Sequence, residues 1–87
     1  MSLFRRRTPP RTVTLVTREG CTLCATAEPV VRRAAEQAGT AYEVRDVDAD
    51  PALRAAYTDK VPVVLLDGVE HAYWQVDEQV LRRALRG

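Results

Sequence analysis

The stretch Thr12-Val13-Thr14-Leu15-Val16-Thr17, Arg18-Glu19-Gly20, Cys21-Thr22-Leu23-Cys24 decides how this chain is read. Its first six residues alternate and are β-branched, which fits a strand. From Leu23 onward the apolar residues change period: Leu23, Ala27, Val30 and Val31, Ala34 and Ala38 recur at helical spacing and predict a helix over about Thr22–Ala38. The only two cysteines therefore stand at a strand-to-helix turn, with Cys21 at or just before the first helical residue. A helix start presents unpaired N–H groups and the positive end of the helix dipole, and both stabilise an anion such as a thiolate. Cys24 lies one turn further along the same face, close enough to close a disulfide with Cys21.

Working outward, Pro29 falls inside the helix and should kink it, and Gly39 suits its C-terminal cap. Ala41–Val47 alternates as a second strand, with Tyr42 and Val44 on one face. Two strands joined by a long helix form a right-handed βαβ unit, so these two should be parallel. Asp50 as N-cap and Pro51 at the first helical position start a short helix to about Tyr57, with Leu53 and Tyr57 on its buried side. Val61–Leu66 is continuously apolar, as a strand buried on both faces is. Asp67-Gly68 makes a type I′ hairpin turn into a returning strand from Val69 to about Gln75. Asp77 caps a last helix whose Val80, Leu81, Ala84 and Leu85 face the sheet. The order is β-α-β-α-β-β-α, an α/β domain with a four-stranded mixed sheet flanked by three helices. It spans residues 12–87. Residues 1–11, with Arg5-Arg6-Arg7 and the prolines Pro9 and Pro10, read as a flexible basic arm.

At 87 residues and 46% hydrophobic content there is material for one domain. A net charge of +1 provides no field that would draw in nucleic acid. No apolar run can span a bilayer, and no apolar segment follows the N-terminal arginines as a secretory signal requires. A soluble, cytoplasmic monomer is expected, with neither nucleic acid nor membrane as partner. In a reducing compartment a C-x-x-C pair points to redox chemistry or metal binding rather than to a structural staple. Tetrahedral zinc needs four ligands, and the chain's only other soft donor is His71, so a zinc site would need two chains sharing their cysteine pairs. No metal is expected, and His71 reads as a solvated side chain.

With C-x-x-C opening the first helix and Val61-Pro62 opening the third strand, this order resembles the thioredoxin fold. The compact chain is most similar to a glutaredoxin or a small glutaredoxin-like relative, over roughly Thr12–Leu85. The resemblance implies a thiol–disulfide oxidoreductase in which Cys21 is the nucleophile and Cys24 the resolving thiol. It implies no tightly bound cofactor, a disulfide-containing protein or small thiol as substrate, and glutathione as the candidate reductant. It further implies a cis bond before Pro62, with the Val61 backbone offered to an extended substrate.

Arg18 stands three residues before Cys21, where glutaredoxins commonly place a lysine that meets the glutathione carboxylate; a solvated strand end is the alternative. Lys60 would be a second cationic partner and Asp77 an acceptor for the ligand's amine. Here the chain departs from the family. Tyr73-Trp74-Gln75-Val76-Asp77 contains no glycine where glutaredoxins carry Gly-Gly, and Lys60 replaces a threonine. Crowding there should hold glutathione affinity to about millimolar or weaker. The reading from a different class is a non-catalytic thioredoxin-fold binding module or metal carrier that uses the cysteines as ligands.

Overall fold

Two different coverings, one on each face of β1 (Thr12–Thr17), explain why its apolar residues alternate and yet are all buried. The computed structural model describes residues 8–86, so the Arg5-Arg6-Arg7 part of the basic arm lies outside the described residues. Val13 and Leu15 point to the face where α1 (Thr22–Ala38) and α3 (Glu78–Arg86) lie, and pack with Val31, Ala34, Ala35, Leu81 and Leu85. Val16 points the other way and meets Val47, Val63 and Leu65 beneath Leu53 and Tyr57 of α2 (Pro51–Tyr57). Full burial of side chains such as Leu15 and Leu81 contributes about 1.5–3 kcal/mol each.

β2 (Ala41–Asp46) pairs parallel with β1, and β3 (Val63–Leu66) pairs antiparallel on β1's other side. β4 (Val69–Tyr73) pairs antiparallel with β3, so the sheet order is β2-β1-β3-β4. This is the four-stranded mixed sheet, the parallel βαβ unit and the element order expected from the sequence. β3 is central, which accounts for its unbroken apolar run. No helix among the described residues is long and apolar enough to cross a membrane.

The caps and the hairpin turn act as their chemistry requires. α1 continues through Pro29 and ends at Gly39, whose φ of 68° lets the Gly39 N–H reach Glu36 O and the Thr40 N–H reach Ala35 O. The Asp50 carboxylate accepts the Ala52 N–H at 2.8 Å to start α2, and Asp77 accepts the Gln79 and Val80 N–H groups at 2.9 and 3.1 Å to start α3. Asp67 and Gly68 both have positive φ, as a type I′ turn demands. The Asp67 carboxylate also accepts the Arg11 and Thr12 N–H groups. Arg11, assigned to the arm from the sequence, is thus tied by its backbone to the β3–β4 hairpin.

Four details differ from the sequence reading. β3 starts at Val63 instead of Val61, since Pro62 has no N–H to give to the ladder. β2 stops at Asp46, whose carboxylate accepts the Asp48 N–H at 2.9 Å and turns the chain into a 3₁₀ turn, Val47–Ala49, that buries Val47. Val80 is 42% exposed, since the buried stripe of α3 runs through Leu81 and Leu85, one position round the helix. β4 ends at Tyr73 instead of Gln75, because Trp74 takes a φ of +66° and leaves the ladder.

Candidate active site

Strand register gathers the site. Thr17 pairs with Asp46, Val16 with Val63, and Val63 with Tyr73, so β1 and β2 end where β3 begins and β4 finishes. The chain leaves β1 through Arg18, Glu19 and Gly20; Gly20 has a φ of +79°, a conformation that costs little without a Cβ. The Cys21 N–H then donates to Arg18 O at 3.1 Å, which closes the turn.

Cys21 is itself the N-cap of α1, in extended conformation. At that position a side-chain acceptor normally satisfies one of the free N–H groups of the first turn. Here the acceptor is sulfur: Cys21 Sγ receives the Cys24 N–H at 3.1 Å. A thiolate at Cys21 therefore has a direct N–H donor and lies on the positive end of the helix.

Cys24 has the opposite surroundings. It is 4% exposed, and its thiol is pushed up to about 11, first by burial and then by its hydrogen bond with the Cys21 sulfur. The Arg18 backbone and charge pull it partly back. Both cysteines are free thiols. The two sulfurs thus differ in their surroundings: one is half-buried and held by a donor, the other is buried, with its thiol form favoured.

The Val61–Pro62 bond is cis, and Pro62 is buried at the entry to β3. Val61 precedes the strand ladder, which begins at Val63. The Arg18 guanidinium is committed inside the protein. It donates to both Asp48 carboxylate oxygens at 2.8 and 2.9 Å, and to the Thr58 carbonyl and hydroxyl at 3.0 and 2.8 Å. Arg18 in turn holds the Asp48 carboxyl below its usual range. Sequence spacing gave no sign of this link, because its partners lie 30 and 40 residues away. Lys60 sits 3.9 Å from Glu70 and 5.0 Å above the Tyr73 ring. One Asp77 oxygen is occupied in capping α3. His71 lies on β4, half-buried, with its imidazolium form disfavoured by desolvation.

Two concavities flank the cysteines. One, about 360 Å³, is lined by both sulfur residues with Arg18, Glu19, Glu28 and Asp46. The other is an apolar groove between Leu23, inside the C-x-x-C, and Tyr73, Trp74 and Gln75. Trp74 is held there by its N–H, which donates to Pro62 O at 2.9 Å, by its indole N–H, which donates to Asp59 O at 3.0 Å, and by an edge-on contact with Tyr73 at 5.1 Å. Among the described residues no group of three or more His, Cys, Asp or Glu side chains is arranged to hold a metal.

The profile of the Glutaredoxin-like domain (DUF836) family matches residues 12–86. An uncharacterized protein of Mycobacterium tuberculosis, Rv0508, is 43% identical over 75 residues, covering 80% of this chain and 77% of that protein. Among solved structures, the Nitrosomonas europaea protein Ne2328 superposes with a TM-score of 0.73 at 27% identity, covering 92% of this chain and 96% of its own. The Escherichia coli NrdH-redoxin, described as a glutaredoxin-like protein with a thioredoxin-like activity profile, superposes at 0.53 with 28% identity, covering 83% and 92%. The fold is that of thioredoxin, as the sequence led one to expect. With the match running from β1 to the end of α3, the chain belongs to the Glutaredoxin-like domain (DUF836) family.

Proposed function

We propose that the protein is a thiol–disulfide oxidoreductase that reduces substrate disulfides with its Cys21–Cys24 dithiol. The observation that carries this reading is the capping of α1 by the Cys21 sulfur, 3.1 Å from the Cys24 N–H, while the Cys24 thiol is buried behind it. The Cys21 thiolate attacks one sulfur of the substrate disulfide; a Cys21–substrate bond forms, and the other substrate sulfur leaves as a thiolate. Cys24, after losing its proton, attacks Cys21 Sγ and expels the second substrate sulfur. The substrate gains two electrons and the protein is left with a Cys21–Cys24 disulfide, which an external dithiol or glutathione reduces again. Val61 and cis-Pro62 are the backbone that an extended substrate meets. The E. coli NrdH-redoxin's description supports the redox reading for a relative of similar size. A reducing compartment such as the cytoplasm would keep the dithiol ready.

The test is a trapping experiment with an oxidised peptide. Cys24→Ser should accumulate a peptide adduct on Cys21 that intact-mass spectrometry detects, Cys21→Ser should not react, and the native protein should end as the internal disulfide. An adduct on Cys24 in Cys21→Ser, with none on Cys24→Ser, would reverse the roles. No adduct on either variant would favour cysteines that serve as ligands.

A further inference from the structure

Given the dithiol reading above, turnover waits on Cys24 once substrate is attached to Cys21. Burial, the first cause of its raised pKa, is still present when Cys21 carries substrate, so the thiol enters this step protonated. Something must accept its proton, and the cavity beside the sulfurs offers three carboxylates, from Glu19, Glu28 and Asp46. Glu19 is exposed at the turn, and Asp46 is exposed with its carboxylate bonded to the Asp48 N–H.

Glu28 differs from both. It stands on α1 about one turn beyond Cys24, four residues on and on the same face, where Cβ atoms are about 5–6 Å apart. It is half-buried and has no hydrogen-bond or ion-pair partner among the described residues. Its charged and titratable surroundings are Arg18, Glu19 and Cys21 on the turn, Asp46 on β2, Arg32 on α1 and the Tyr42 hydroxyl. That hydroxyl is buried without a hydrogen-bond partner, and its ionisation is further opposed by the Glu28 charge. A cavity of about 360 Å³ has room for waters, at roughly 30 Å³ each, to bridge carboxylate and thiol.

We propose that Glu28 is the proton acceptor for Cys24 when the mixed disulfide is resolved. The Cys24 proton passes to the Glu28 carboxylate, the Cys24 sulfur forms its bond to Cys21 Sγ, and the bond from Cys21 to substrate breaks. The departing substrate thiolate takes its proton back from the Glu28 carboxyl, so the carboxylate is restored and no other reactant is consumed.

A symmetrical aryl disulfide with a coloured thiolate separates the two steps in one stopped-flow trace of the reduced protein. Attack by Cys21 releases the first coloured thiolate, and resolution by Cys24 releases the second. In the native protein the second phase should be nearly flat in pH across the neutral range. In Glu28→Gln it should be about ten- to a hundredfold slower at pH 7 and rise tenfold per pH unit, as hydroxide becomes the acceptor, while the first phase stays within twofold. Glu19→Gln and Asp46→Asn should keep the native second phase. A native rate and pH profile in Glu28→Gln would overturn the inference and leave the dithiol reading intact, as would an equal loss in either control variant. Absence of a second phase in the native protein would overturn the dithiol reading itself and the inference with it.

Discussion

Raising the pH on the reduced protein should cost stability through one buried thiol. The folded chain pushes Cys24 from an ordinary value of 9.0 up to about 11. Below 9 the folded and unfolded chains both hold this proton, and the contribution is fully present. Between 9 and 11 the unfolded chain releases a proton that the native state keeps, so stability falls as pH rises through that window. Two units at about 1.4 kcal/mol each set an upper limit of about 3 kcal/mol. That is a large share of the roughly 4–13 kcal/mol expected for a domain of this length. Urea unfolding at pH 8 and pH 11, under reductant, measures the loss, and Cys24→Ala isolates it. Tyr42, also raised by burial, loses stability in the same direction in both proteins and cancels in the comparison. The native protein should lose about 2–3 kcal/mol more than the variant, and its oxidised form, which has no Cys24 thiol, should not show the excess. Equal losses in the two reduced proteins would refute the account of Cys24 as a buried, protonated thiol.

Other substitutions test the frame and the groove. Gly39→Ala should cost about 1–2 kcal/mol, seen as a lower melting temperature; the added Cβ has open space, so the cost is the left-handed φ of 68° alone. Trp74→Gly should relieve a φ of +66° that a bulky residue rarely adopts, at the loss of the indole bond to Asp59 O and the contact with Tyr73. With the groove wall removed, calorimetric titration of glutathione into the Cys24→Ser background should show binding tightened about tenfold or more, in line with relief of ~1–3 kcal/mol of overpacking. Unchanged affinity would mean that the indole is no obstacle.

The frame was legible because its signals are local. The change of apolar period between Thr17 and Leu23 marks the junction of β1 and α1, and Asp50-Pro51, Gly39, Asp67-Gly68 and Asp77 each act within a few residues of themselves. Exposure was less legible. Periodicity tells which residues share a face, but whether anything covers that face is a tertiary fact, and so Val80 was expected against the sheet and is 42% exposed. The end of β4 was misplaced for a similar reason. Nothing in the letters Tyr73-Trp74-Gln75 announces a tryptophan with positive φ, since the Trp74 N–H is anchored to Pro62 O twelve residues earlier.

The same division runs through the site. Cys21 and Cys24 could be read from spacing, because a helix start creates their asymmetry from its own N–H groups. Arg18 could not, because its partners come from the 3₁₀ turn and the end of α2. That difference bears on what the site recognises. Of the charges the sequence offered to glutathione, Arg18 is bonded to Asp48 and Thr58, Asp77 caps α3, and Lys60 is drawn toward Glu70 and the Tyr73 ring. Freeing Arg18 or Lys60 for a ligand would break contacts the fold already uses, whereas Asp77 caps with one oxygen and keeps the second. On the Leu23 side of the cysteines the presented surface is apolar: Leu23 at 49% exposure and Trp74 at 53%, with Tyr73 between strand and groove. Such a surface gains free energy from area removed from water, at about 25 cal/mol per Å², and a charged tripeptide brings little apolar area to it. A disulfide embedded in a polypeptide brings more, and we propose protein disulfides rather than glutathione as what the dithiol meets.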